Sequence, residues 1–181
     1  MKKLLVVFFT LLIFLLSFQT ALAEKTMSPN PAATMDNYEL PYPGLLPDHP
    51  LYFLKMTRDK IIGFFISDPI KKAEFDILQS DKRLSAGVYL LNKKSPKSQE
   101  MAVITFSKEQ NYYDDAITKI ALAEKQGMNT TDIKTKTKTS LKNFKAVLEK
   151  AKDKVSSSFK QKIIEEEKII DEFQNKAILK K

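Results

Sequence analysis

Residues 68–92 read D-P-I-K-K-A-E-F-D-I-L-Q-S-D-K-R-L-S-A-G-V-Y-L-L-N, and this stretch decides the fold class. Ile70, Ala73, Ile77, Ser80, Leu84, Gly87 and Leu91 recur at three- and four-residue spacing, with Leu78 and Val88 widening the stripe. That is the period of a helix with one buried face. Asp68 is a natural N-cap, and Pro69 suits the first helical position, where its missing N–H would have had no partner. The spacing predicts a helix over 69–92.

Upstream, Asp48 is expected to cap a first helix that ends near Ser67, with Leu51, Leu54, Ile61 and Phe65 on its buried face. Downstream, Ser95-Pro96 restarts the chain as a helix running to Gln126, with the stripe Val103, Phe106, Gln110, Tyr113, Ile117 and Ile120. Ala102, Ala116 and Ala123 lie beside that stripe and would let a neighbouring helix come close. Gly127 is a natural C-cap. Thr130 or Thr131 would cap the last region, with Asp132 in its first turn. Leu141, Phe144, Leu148, Ala151 and Val155 keep the 3-4 spacing, and the pattern then slips to Phe159 and Ile163 before resuming at Ile170, Phe173 and Ala177. One long, kinked helix is expected there, because no Pro or Gly interrupts it; the alternative is a break at Ser156-Ser157-Ser158. Lys134 to Thr139 alternates Lys and Thr but has nothing apolar to bury, so no strand is expected. The fold class is therefore all-α: an antiparallel helical bundle of about four helices preceded by a proline-rich extended segment.

That segment, Leu40 to Lys55, reads L-P-Y-P-G-L-L-P-D-H-P-L-Y-F-L-K. Its prolines exclude an ordinary helix or central strand. Its large apolar side chains are out of place in a disordered linker. The expected structural head is Tyr42, Pro43, Gly44, Leu45, Pro47 and Asp48, a stiff clasp docked on the bundle. This head resembles that of a bacterial family of exported helical proteins, Domain of Unknown Function 5667, whose members carry a P-G-x-L-P-D-x-P-x-Y-x-L-K-like run. A Lys-Ala-Glu helix follows in that family; here the counterpart is Lys72-Ala73-Glu74 through Lys82-Arg83-Leu84. The resemblance implies export and a helical fold, and brings no activity, cofactor or catalytic residue.

The N-terminus sets the expected compartment. Lys2 and Lys3 precede an apolar run, Leu4 to Phe18, and Ala21-Leu22-Ala23 is a small-x-small cleavage site. Residues 1–23 read as a secretory signal peptide cleaved after Ala23. The alternative is a retained membrane anchor. Residues 24–39, with Pro29 and Pro31, read as a flexible tether, and 40–181 as the helical domain with its head at 40–50. The chain has no cysteine, hence neither a lipobox nor a disulfide. The net charge of +8 falls to +6 without Lys2 and Lys3, and only Arg58 and Arg83 are arginine. Lysine-dominated charge attracts anionic surfaces diffusely, whereas specific nucleic-acid readout favours the arginine fork.

The strongest charge feature is Lys134 to Lys162, which nets +8 over 29 residues. Lys134, Lys136, Lys138, Lys142 and Lys145 are the candidate anionic-surface binders; the competing account is an ordinary solvated helix face. Glu165, Glu166, Glu167, Asp171 and Glu172 form the one acidic cluster, expected to pair with nearby lysines and not to hold calcium. Asp114 and Asp115 are consecutive and diverge around a helix. His49 is the only histidine and has no Cys or second His to complete a common metal site. No Gly-x-Ser-x-Gly elbow occurs. Met27, Met35, Met56, Met101 and Met128 do not cluster, and Tyr52, Tyr89, Tyr112 and Tyr113 fall on or beside apolar stripes. No catalytic residue, metal or cofactor is expected. The expected role is an exported, non-enzymatic binding or scaffolding module at the cell surface. Its expected partner is a protein or an anionic surface polymer, with peripheral membrane contact. The alternatives are a membrane-anchored regulator and a small-ligand or hydrolytic protein with an inter-helix pocket.

Overall fold

The computed structural model describes residues 34–35 and 38–179. The predicted signal peptide lies outside the described residues, as does most of the predicted tether. Within the tether, two-residue strands β1 (Thr34–Met35) and β2 (Tyr38–Glu39) pair antiparallel, with Thr34 opposite Glu39. This minimal ladder rests on backbone pairing, which is why no apolar alternation announces it. Everything else regular is helical: α1 (Tyr52–Phe65), α2 (Pro69–Asn92), α3 (Pro96–Ser107), α4 (Gln110–Lys125), α5 (Thr131–Lys152) and α6 (Ser157–Leu179).

Helix α2 has the expected bounds. Asp68 Oδ1 accepts a hydrogen bond from the Lys71 N–H at 2.9 Å, and Pro69 follows at the first helical position. Its expected stripe is buried except for half-buried Ile70, and Leu78 is turned to solvent. Ser95 caps α3 in the same way, accepting from Ser98 N–H at 3.1 Å. Gly127 takes φ +74°, and the Met128 N–H reaches back to Ala123 O at 3.0 Å, so α4 ends on glycine as expected. Thr130 stands at the N-cap of α5, but its hydroxyl donates to Glu124 instead of capping.

Two expected helices are broken. The helix expected over 96–126 divides at Lys108-Glu109. There the Thr105 hydroxyl donates back to the carbonyl of Met101, and the Glu109 N–H takes the tighter bond to Phe106 O. Such a side-chain bond competes with the ladder. Ser107 and Gln110 on either side of the break both donate to Glu166 of α6, which holds it. The last region is also two helices, not the expected single one. Val155 is buried in the turn, and the Ser156 N–H donates to Gln99 Oε1 at 3.2 Å. The four-residue slip in the apolar spacing marks this reversal, after which α6 returns along α5.

Four rods result: α2, the α3–α4 pair, α5 and α6. Short turns and cross-contacts fix alternating directions: Tyr113 of α4 meets Ser140 of α5, while Lys145 and Lys152 of α5 meet Asp171 and Glu167 of α6. Helix α6 then closes on α3 and α4. The helical bundle class stands, but its fourth rod comes from the broken last helix, and the expected first helix, α1, lies outside it against α2.

The core has two parts. In the larger, Phe106, Tyr113, Phe144 and Phe173 supply one ring from each of α3 to α6, with Tyr113 stacked on Phe144 at 6.0 Å between centroids. Each such buried side chain stabilises by about 1.5–3 kcal/mol. The smaller part joins Ala73 and Ile77 to Ala116, Ile120 and Ile133. All three predicted small residues, Ala102, Ala116 and Ala123, are fully buried. Gly87 serves the closest approach: a Cβ there would lie 2.2 Å from the Phe106 ring.

Candidate functional site

The five candidate lysines do not form one free cationic face. Lys134 pairs with Glu124, and Lys145 Nζ lies 2.6 Å from Asp171 Oδ1. Lys152, on the same flank, pairs with Glu167 at 2.8 Å. The bond to Asp171 raises the Lys145 pKa above its ordinary value. Lys136, Lys138 and Lys142 are exposed, and Lys142 has an interaction of its own. Two of the α5 lysines, Lys145 and Lys152, are thus matched by the acidic stretch of α6, and Lys134 by α4. Glu166 of that stretch is instead buried and accepts from Ser107 and Gln110.

Of the expected head, Pro43 is buried and Gly44 and Pro47 are half-buried, while Tyr42, Leu45 and Asp48 are exposed. Tyr42 is 62 % exposed and meets Tyr89 edge-on at 6.5 Å, and Leu45 is also exposed. Anchoring comes from Leu40, which packs against the main core, and from buried Pro43. The Pro43 carbonyl accepts a 2.8 Å bond from the buried Lys55 ammonium of α1. Gly44 takes φ +68°, which lets the chain turn between them. Asp48 does not cap α1. Two turns, His49 N–H to Leu46 O and Tyr52 N–H to His49 O, delay the helix until Tyr52, and Asp48 pairs with Lys93 at the end of α2. Pro47 lies half-buried in this double turn. His49 is exposed, and its Nδ1 accepts from the Leu51 N–H at 3.1 Å, a turn-closing role.

Helix α1 is inverted relative to expectation. Its buried positions are Lys55, Asp59 and Gly63, while the predicted inner residues Leu51, Leu54, Ile61 and Phe65 are exposed. Phe53 and Phe64 project outward at 60 % and 84 % exposure. The inversion is held by polar contacts to other elements, Lys55 to Pro43 and Arg83 of α2 donating to the Met56 sulfur at 3.2 Å, while Arg58 pairs with its neighbour Asp59 within α1 at 2.7 Å. Burial lowers the Lys55 pKa, partly offset by Asp59. Between head and helix lies a groove of about 610 Å³ lined by Tyr42, Leu45, Leu54, Lys55, Arg58 and Lys82 together with Pro43 and Gly44. No carboxylate lines it.

A polar cluster inside the bundle is the other site the sequence reading missed. Ser140 donates to Asp81 Oδ1 at 2.5 Å and, its one hydrogen so used, accepts from the Tyr113 hydroxyl at 2.8 Å. Glu109 is fully buried, and neither carboxylate oxygen has a hydrogen-bond partner. Burial, reinforced by Asp81, drives the Glu109 pKa well above the usual carboxylate range against the pull of Arg83. The Tyr113 phenol is pushed up by the same causes. The signal was present in the spacing: Asp81 follows Ile77 by four, and Glu109 follows Phe106 by three and precedes Tyr113 by four. A cavity lined by Ile117 and Ile120 of α4, Thr137 of α5 and Lys176 of α6 holds about 20 Å³, one water's worth.

Among the described residues no group of His, Cys, Asp or Glu could hold a metal, and no helix is long and apolar enough to cross a membrane. Asp114 and Asp115 are both exposed, Met56 and Met101 lie apart, and Tyr112 sits under the Arg83 guanidinium at 5.0 Å. Compared with models of known families, with curated proteins and with solved structures, the chain matches none.

Proposed function

We propose that this chain is an exported, non-enzymatic helical domain that binds an anionic partner at the cell surface. The observation that carries this reading is the groove between head and α1, lined by the cations Lys55, Arg58 and Lys82, of which Arg58 pairs with Asp59 and Lys55 is bonded to the Pro43 carbonyl. A site of that composition attracts anions and offers no acid–base or nucleophilic pair. The side-chain-filled interior also favours a binding surface over an inter-helix pocket. Export rests on residues 1–23, and kinship with Domain of Unknown Function 5667 rests on the Leu40–Lys55 head. Co-sedimentation with anionic vesicles and with anionic wall polymer, at low and at high salt, tests the reading. Binding at low salt that weakens with salt is expected; no binding at low salt overturns it. Mass spectrometry of the N-terminus from cells separates cleavage after Ala23 from a retained anchor.

A further inference from the structure

Resting on the surface-binding reading above, we propose that the outward face of α1 docks in the plane of an anionic phospholipid surface. Phe53, Ile61 and Phe64 stand on one side of the helix, flanked by Leu54 and Phe65. This is an apolar stripe over the full length of the helix, on a protein whose core is already filled. The helix carries four charges besides, and their placement is asymmetric. Lys60 and Arg58 are exposed beside the stripe, Arg58 also holding Asp59 at 2.7 Å, while Asp59, the one acid, is itself buried on the other side. The outward face is therefore apolar and basic, with no carboxylate of its own. That combination favours the interface of an anionic bilayer, where aromatic and aliphatic side chains enter the headgroup boundary and cations stay at phosphate level.

Two further observations support this occupant. The stripe is not a face that missed its place in the core, because the opposite face is tied down by Lys55 on the Pro43 carbonyl and Arg83 on Met56. Next to the stripe, the groove with Arg58 and Lys82 at its wall joins cations to apolar surface from Leu45 and Leu54. Its volume of about 610 Å³ lies within the range, roughly 300–1,000 Å³, of small-ligand pockets. A phosphodiester headgroup would meet cations there while its acyl chains lie along the stripe.

The chain has no tryptophan, so a single Phe64→Trp substitution in the full-length protein reports on α1 alone. Titration with phosphatidylglycerol-containing vesicles should shift the Trp emission to shorter wavelength, and lipids brominated near the headgroup end of the chains should quench it. Phosphatidylcholine vesicles should do neither. Adding R58A and K60A should weaken the transition roughly tenfold or more. Adding F53S in the same background should do the same while helicity is unchanged, since Phe53 is exposed. If the protein pellets with anionic vesicles but the Trp remains in water, α1 is not the docking element and this inference fails while the surface reading stands. If it binds no anionic surface at all, both fail. A blue shift that grows with protein concentration in the absence of lipid would make a second copy the occupant and overturn the proposal.

Discussion

Helices α1 and α2 are both amphipathic, and they face opposite ways. In α2 the stripe of Ala73, Ile77, Leu84 and Leu91 is buried, and an aspartate cap and proline start define its ends. In α1 the apolar stripe is outside and Lys55, Asp59 and Gly63 are inside. Periodicity identifies a face; it does not say which way that face points. The choice depends on what the neighbour offers. For α2 the neighbour offers Phe106 and the alanines of α3 and α4, and for α1 it offers a carbonyl and a guanidinium.

This contrast should be largest in the aromatic residues. Phe144→Ala, in the ring cluster, should cost about 3–5 kcal/mol in urea unfolding followed by circular dichroism. Phe64→Ala on α1 should change stability by about 0.5 kcal/mol or less. A comparable loss at both positions would break the distinction. The two helical glycines sharpen it. Gly87→Ala should destabilise by about 1–3 kcal/mol, because the new methyl meets the Phe106 ring in a packed interior. Gly63→Ala meets only the edge of Phe75 at 3.1 Å and the tip of Lys72, and gains helix propensity, so its effect should stay within about 1 kcal/mol of zero.

Glu109 adds pH dependence to the bundle side of the comparison. Its folded-state pKa is raised above the ordinary 4.5, so the native state keeps a proton that the unfolded chain releases. Its contribution to stability therefore falls as pH rises from 4.5 toward the folded-state value. Glu109→Met should stabilise by about 1–3 kcal/mol at neutral pH by removing a buried group without partners. The gain should shrink toward pH 4, as parallel melts at the two pH values would read; an equal gain at both would remove Glu109 as the source. The smallest effect belongs to the surface. Lys145 and Asp171 are both more than a third exposed, and a double-mutant cycle should find a coupling of about 1 kcal/mol or less.

The fold was largely legible. Capping residues and proline placement announced the start of α2 and α3, and Gly127 announced the end of α4. The breaks at Glu109 and Val155 carry neither proline nor glycine; local sequence was silent at the first and offered only the spacing slip and the serine run at the second. They are made by contacts over more than fifty residues, Ser107 and Gln110 to Glu166, and Ser156 to Gln99. The lysine run was visible, but the pairing of Lys145 and Lys152 with α6 depended on a hairpin that the spacing recorded only as a slip. The head was recognisable as structural and Pro43 within it is an anchor, but nothing in the run says that Leu40 packs on the core while Tyr42 and Leu45 stay exposed. Lys55 is the least legible of all, since nothing in its neighbours says that a lysine will be buried and the phenylalanines beside it exposed.

The alternating course of the four rods also bears on how the protein folds. The α2 rod packs on the α3–α4 rod that follows it, and α5 packs on α6, so two hairpins can form from contacts close in sequence, while α5 must also meet α2. Helical chains built this way reach the native state fast. The closure of α6 on α3 and α4 is different, since it must bring Glu166 to Ser107 and Gln110 across an open loop. Until it does, the rings of Phe106, Tyr113 and Phe144 lack Phe173 and stand open to water. Sealing the core therefore depends on a contact distant in sequence, and a chain lacking α6 should present that aromatic surface to its neighbours and aggregate.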